Sequence, residues 1–370
     1  MKKGKLKKMF PGNNTGEGFY SFYHFINPAA VRTFILKGGP GTGKSTLMKK
    51  IGAVMREKGY DAEYHYCSSD NTSLDGLVFP ALRIAIIDGT APHLVDPKTP
   101  GAIDEIINLG EFWQEDALFK VKEQIKSINK KKARMFQAAY SYLKEAKVAQ
   151  DELESYYQEA LNPLVINRMF YDIYTELLAK EKPQFARFAA LRRLFGSANT
   201  PGGYVHYFAS ILQDACTLYL LEGEPVTEKE ELLELICRLG NGWGLTCEAY
   251  HCPFIPSRLE LVYFPGRKTG LLRVNEPLKF DAKVLPNLKN CTKIDFNQCL
   301  NFELLKVYEP EIRETKKRIA SLRHSAWDKL KAAQKYHAEL EKCYFTAIDF
   351  TGVEQKTEEL LKKILTYTKG

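Results

Sequence analysis

No apolar run in this 370-residue chain approaches the roughly 20 residues a membrane-spanning helix needs, and the opening Met1-Lys2-Lys3-Gly4-Lys5 lacks the apolar centre of a secretion signal. Both absences make a cytoplasmic protein with no membrane partner the expectation. The eight cysteines include no Cys-x-x-Cys pair, which removes the common zinc and redox signatures and leaves scattered reduced thiols. Cys247, His251 and Cys252 lie close together, yet Cys252 repeats Cys67 in a strand pattern, so buried thiols account for them better than metal ligands do. Acidic residues are in the minority, 45 Asp and Glu against 53 Lys and Arg, for a net charge of +8. Lys2, Lys3, Lys5, Lys7 and Lys8 supply most of that excess and invite a nucleic-acid partner. However, Lys7-Lys8-Met9-Phe10 recurs as Arg192-Arg193-Leu194-Phe195, so the run belongs to a folded repeat and reads as a solvated strand edge. Lys130-Lys131-Lys132 reads as a wet helix face, and nucleic acid remains a disfavoured alternative.

What is present is a glycine-rich loop. Phe34-Ile35-Leu36 is a short apolar run suited to a buried strand; Gly38, Gly43, Lys44 and Ser45 then fit G-x-x-x-x-G-K-[ST], and helical spacing follows through Leu47, Ile51 and Val54. In such a loop, glycines at positive φ bring bare N–H groups to phosphate oxygens, and the following helix adds its positive end. Gly38, Gly39, Pro40, Gly41, Thr42, Gly43, Lys44, Ser45 and Thr46 are therefore the candidate binding residues for ATP, with Lys44 on the β- and γ-phosphates and Ser45 on Mg²⁺. Arg83-Ile84-Ala85-Ile86-Ile87-Asp88 offers an apolar strand closed by a carboxylate, which makes Asp88 the second Mg²⁺ group. Asp61 to Cys67 reads as a further strand, so the units form a parallel sheet flanked by helices. Asp70 or Asp75 is placed to orient an attacking water, Ser68, Ser69 and Asn71 lie in the same loop, and His93 is placed to sense phosphate. A loop Asp that caps a helix is the plainer account of Asp70. Gly89 stands where a fast hydrolase carries Glu.

The chain repeats itself. Shifted by 185, Met9 to Pro80 has nineteen identities in 72 aligned positions, against roughly four or five expected from composition. Phe10, Asn14, Gly38, Lys44, Glu63 and Cys67 meet Phe195, Asn199, Gly223, Lys229, Glu248 and Cys252. Divergence concentrates on the chemistry: Gly41, Gly43, Ser45, Asp70 and Asp88 become Val226, Glu228, Glu230, Ile255 and Arg273. Glu224, Glu228 and Glu230 set three carboxylates where a polyphosphate would sit, so the second copy is expected not to bind one.

With two inserted residues the match continues, and Glu152-Leu153-Glu154 and Tyr157 meet Glu339-Leu340-Glu341 and Tyr344. Leu118 to Tyr156 keeps a 3,4 spacing broken once, by Lys132 at an a position, which predicts a coiled-coil helix over about 114–161, roughly 70 Å long. Pro163 ends it, and a second helix returns over 164–180. The arm either packs on its twin or binds a protein partner. The expected organisation is 1–113 nucleotide-binding core, 114–189 helical arm, 190–300 degenerate core and 301–370 helical arm, with 45% hydrophobic residues sufficient for two cores.

FPGNNTGEGFYSFY, GGPGTGKST, HYCSSDNTSLDG, IIDGTAPH and DEIINLG, followed by a second such unit, resemble a bacterial family of tandem P-loop ATPase or nucleotide-binding proteins of unassigned role. The resemblance spans essentially the whole chain and implies ATP binding at Gly38 to Ser45. Members usually keep a glycine-rich second loop, whereas here it reads EGEPVTEKEE. Three functions stay open: an Mg²⁺-dependent ATPase with one site, a small-molecule or nucleotide kinase, and a nucleotide-gated scaffold with partner-binding arms. Arg258, Arg267 and Lys268 are candidates to reach the first site from the second unit.

Overall fold

A computed structural model describes residues 2–91, 94–179 and 189–368; His93 lies outside them. In chain order the first unit holds β1 (Leu6–Met9), β2 (Gly12–Thr15), β3 (Gly18–Ser21), β4 (Arg32–Lys37), α1 (Lys44–Glu57), β5 (Ala62–Tyr66), β6 (Leu74–Phe79), β7 (Ile84–Asp88) and β8 (Asp104–Asn108), then α2 (Glu115–Lys120), α3 (Lys122–Gln158) and α4 (Pro163–Tyr174). The second unit holds β9 (Leu191–Phe195), β10 (Ser197–Thr200), β11 (Gly203–His206), α5 (Phe208–Ile211), β12 (Thr217–Glu222), α6 (Glu228–Gly242), β13 (Cys247–His251), β14 (Leu259–Phe264), β15 (Thr269–Arg273) and β16 (Asn290–Asp295), then α7 (Phe302–Leu305), α8 (Glu309–Phe345) and α9 (Phe350–Thr366). Each unit has a six-stranded sheet, in the orders β1-β5-β6-β7-β4-β8 and β9-β13-β14-β15-β12-β16.

The sheets are mixed rather than parallel. β6 and β14 run antiparallel to both neighbours, while the remaining pairs are parallel. Chain length forces this: a parallel crossover needs about a dozen residues, and only the short Pro80–Leu82 turn and Arg83 separate β6 from β7. The expected arm helix is also interrupted, because α2 ends at Val121 before α3 begins. The return helix ends at Tyr174, and a π-turn follows over Thr175–Ala179. No helix among the described residues is long and apolar enough to cross a membrane.

The two units meet about a local two-fold relation. Phe10 and Phe195 exchange backbone hydrogen bonds of 2.9 and 3.0 Å, and the Asn14 and Asn199 amides each donate to the other's backbone carbonyl, at 3.1 and 3.0 Å. Lys7 pairs with Glu248 at 2.5 Å, and its repeat equivalent Arg192 pairs with Glu63 at 2.7 Å. The basic run is thus a strand edge, as expected, but not a solvated one. One charge from each copy, Lys7 and Arg192, is held in a reciprocal interface pair, which explains why Glu63 and Glu248 were kept, as the shared hydrogen bonds explain Phe and Asn.

α3 and α8 lie side by side and antiparallel: Ile128 packs with Leu340 and Cys343, while Glu152 accepts from Thr315 at 3.1 Å and pairs with Arg318. This crossing exchanges the arms. α4 packs into the second unit's core with Leu232, Leu233 and Ile236 of α6, and α9 packs Leu360 and Ile364 into the first unit's core with Leu47, Met48 and Ile51 of α1. Ile364 is fully buried there. Ile364→Ala is expected to destabilise the protein by about 2–5 kcal/mol through lost burial and a cavity. Denaturant unfolding with a probe in the first unit checks this, and an unchanged midpoint would refute the exchanged packing.

Candidate functional site

The glycine-rich loop joins β4 to α1 at the carboxyl end of the first sheet, and Asp88 closes the adjacent β7, with Leu36 and Asp88 register partners. Gly41 and Gly43 adopt φ of 71° and 81°, conformations costly for any residue with a Cβ. Gly43 N-caps α1 without a side chain, so the first N–H groups of that 14-residue helix carry no side-chain cap. The Thr42 hydroxyl donates to the Gly39 carbonyl at 2.9 Å and fixes the loop.

Lys44 folds back over this loop. Its Nζ donates to the Gly38 and Gly39 carbonyls at 2.7 and 2.9 Å and lies 3.6 Å from Asp88 Oδ2. The other Asp88 oxygen accepts from the Thr90 N–H and hydroxyl at 2.9 and 2.6 Å. Ser45 Oγ accepts from the Leu74 N–H at 3.0 Å, which turns it toward β6. Lys44 and Asp88 thus come together, Ser45 follows Lys44 in the first turn of α1 with its hydroxyl on Leu74, and Thr46 faces outward on α1. The loop is a cradle that a Cβ would fill: at Gly38 one would meet Thr42 Oγ1 at 2.9 Å. Ser45 and Asp88 fit a hard cation such as Mg²⁺, which takes one or two protein oxygens and otherwise keeps water or phosphate. Position 89 is closed by sterics, since a Cβ on Gly89 would stand 2.5 Å from Ile35 Cγ2 and 2.9 Å from the Val95 carbonyl.

Asp70 sits above the loop inside a tight turn, where Oδ1 accepts from the Thr72 N–H and hydroxyl and Oδ2 from the Ser73 hydroxyl at 2.6 Å. Burial pushes its pKa up, but those donors and the nearby His337 outweigh it and hold the carboxyl below its usual range. Asp75 lies on β6, bonded to the Tyr23 hydroxyl at 2.6 Å and one register step from Asp88.

Sequence reasoning missed the cover of this site, which comes from the other unit. α8 passes over the loop: a Cβ at Gly41 would be 3.2 Å from the Glu341 carbonyl, and one at Gly39 would be 3.3 Å from Tyr344 and 3.0 Å from Trp113. Gln334 Nε2 lies 3.5 Å from Asp70, and His337 Nε2 lies 3.6 Å from the Glu341 carboxylate. Burial, then the Lys132 and Lys44 charges, lower the His337 pKa to about 4, so its ring is neutral near pH 7. Burial and Asp70 raise Glu341. The retained Glu-Leu-Glu-x-x-Tyr was the available signal, for its first copy does the same to the second unit. There Glu154 takes both Arg258 nitrogens at 2.6 and 2.9 Å, and the Tyr157 hydroxyl donates to Glu224 at 2.6 Å. Arg258 is therefore engaged at the second site, and Arg267 donates to the Leu177 carbonyl at 3.0 Å. The crossing helix is what reaches the first loop.

The second loop has lost the cradle. Thr227 caps α6 at φ −68°, ψ −22°, in place of the left-handed Gly43. Arg273, where the first unit has Asp88, pairs with Glu230 at 2.6 Å and lies 3.7 Å from Glu260. Glu224 is paired with Lys316 at 2.6 Å. Two of the three carboxylates expected to keep a polyphosphate out of this loop, Glu224 and Glu230, are thus paired with cations, while one buried oxygen each of Glu228 and Glu230 has no partner among the described residues. Lys229 is fully buried and donates to the Gly223 carbonyl and Asn275 Oδ1, each at 2.7 Å. Burial, then Arg273, push its pKa down to about 7.

Comparison with protein-family models, with curated proteins and with solved structures finds no match to this chain.

Proposed function

We propose that the first unit is a P-loop nucleotide site that binds one Mg²⁺-ATP and hydrolyses it slowly, and that the second unit is a closed relic of the same site. The contrast between two loops on one chain frame carries this reading. Where glycines at positive φ, Lys44, Ser45 and Asp88 stand together in one, an αR-capped helix and a Glu230–Arg273 ion pair stand in the other. The resemblance to tandem P-loop proteins points the same way.

Bound Mg²⁺-ATP supplies the phosphoryl group and the metal charge. Backbone N–H groups of Gly39 and of Gly41 to Ser45 hold the phosphates, Pro40 having none to give. Lys44 exchanges its two carbonyl partners for phosphate oxygens, and Ser45 and Asp88 hold the metal. Asp70, engaged by Thr72 and Ser73, holds the loop above the site and presents a carboxylate to water. With no side chain admissible at Gly89, turnover is slow, which suits a nucleotide-dependent switch. Helix α8 lying on the loop gives that switch something to move.

Calorimetry with Mg²⁺-ATP, followed by phosphate release in the same sample, tests this. One site per chain with slow release is expected. Two sites would overturn the closed second unit, and none would overturn the whole assignment.

A further inference from the structure

The seam between α3 and α8 is apolar along most of its length, with Ile128, Ala139, Leu143 and Ala146 of α3 all buried. It is broken at the turn that passes the glycine-rich loop. Lys132 follows Ile128 by four residues on the same helix face, and Ile128 is packed on Leu340 and Cys343. That places the lysine in the stretch of α8 that carries His337 and Glu341, whose own carbonyl lies against Gly41. Its charge acts on both: it lowers His337, and Glu341 partly offsets the burial that lowers Lys132 itself.

The second copy shows that a lysine is not required by the packing. The equivalent of Lys132 is Ile319, which is 4% exposed and part of the second unit's core. The wall opposite changes with it, since Asp70 and His337 are replaced by Ile255, buried in an apolar cluster, and by Gln150. A lysine at an a position costs stability relative to an apolar residue. It is kept where the cradle is intact and absent where the cradle is closed.

We propose that Lys132 is a phosphate-binding cation that the arm delivers to the loop at Gly38–Ser45, contacting the terminal phosphate of the nucleotide, with Glu341 of the other unit as its counter-ion before binding. This rests on the ATP site proposed above. It adds a second cation to Lys44, in the role that a finger residue plays in other nucleotide hydrolases.

Lys132→Ile, the residue its twin carries, tests it without a folding penalty. The variant is expected to melt at or above the wild-type temperature and to bind Mg²⁺-ADP as the wild type does. It should bind Mg²⁺-ATP about tenfold more weakly and turn over on the order of 100-fold more slowly, while Lys132→Arg keeps most of both. A Lys132→Ile protein with wild-type ATP affinity, ATP-to-ADP preference and turnover would overturn the inference and leave Lys132 as a register device. If the folded wild type itself binds no Mg²⁺-ATP, the nucleotide site falls and this inference with it. If the wild type binds and Lys44→Ala does not, a neutral Lys132→Ile removes Lys132 alone.

Discussion

Lys44→Ala is expected to abolish measurable Mg²⁺-ATP binding and turnover while the melting temperature moves by no more than a few degrees. The two effects differ because the lysine's present partners are weak and its proposed ones are strong. In the structure its ammonium holds two loop carbonyls and stands 3.6 Å from Asp88. Each such hydrogen bond is worth about 0.5–1.5 kcal/mol net. Against a polyphosphate the balance reverses. Without Lys44 the loop loses its own ammonium, and the buried Asp88 carboxylate faces the incoming anion without the charge 3.6 Å away that now offsets it. A loss of at least about 100-fold in affinity, roughly 3 kcal/mol, is the expected scale. Calorimetry and phosphate release on a variant verified by thermal melting decide it, and unaltered turnover would remove Lys44 from the mechanism.

The parts of this site that the sequence made legible are those encoded locally. Phe34-Ile35-Leu36 could only be a buried strand, Gly41 and Gly43 could only serve a backbone at positive φ, and Ile84 to Asp88 ends an apolar strand on a carboxylate. Strand direction was less legible. β6 has the composition of any buried strand, and only the shortness of its connection to β7 reveals that it turns back. The cover over the loop was the least legible, because a heptad pattern says that a helix has a partner without saying which residues of the pair overhang a distant loop. Glu341 and Tyr344 stood out only as repeats of Glu154 and Tyr157, and their meaning required the exchanged arms. The ion pair that closes the second loop was hidden for a related reason. Ser45 to Glu230 and Asp88 to Arg273 are separate changes along the chain, but they form one ion pair in space.

That ion pair yields the second large effect. Arg273→Ala is expected to destabilise the protein by about 3–5 kcal/mol near neutral pH, the cost of leaving buried charges without their partner. Arg273 contacts Glu230, Glu260 and Cys252 Sγ, the last at 3.3 Å, and all three acceptors are buried. Burial already raises the pKa of Glu230 and Glu260 although Arg273 opposes it; without the guanidinium both rise further. A carboxyl whose folded pKa lies above its unfolded value of about 4.3 binds an extra proton on folding. The stability it supports is therefore complete below that value and is lost as pH rises through the folded pKa. The gap in melting temperature between wild type and Arg273→Ala should accordingly be small near pH 5 and widen toward pH 8. Adding Glu230→Ser, which restores the residue the first unit carries at that position, removes one of the two stranded carboxylates and should recover a substantial part of the loss. A gap that is flat with pH and unrelieved by Glu230→Ser would mean that Arg273 acts through packing. A gap that widens and is relieved would identify the pair as an internal substitute for the cation and phosphate proposed for the first site. Restoring Ser and Asp at 230 and 273 would not reopen that site, because Val226 and Glu228 still deny the loop the backbone conformation that Gly41 and Gly43 provide.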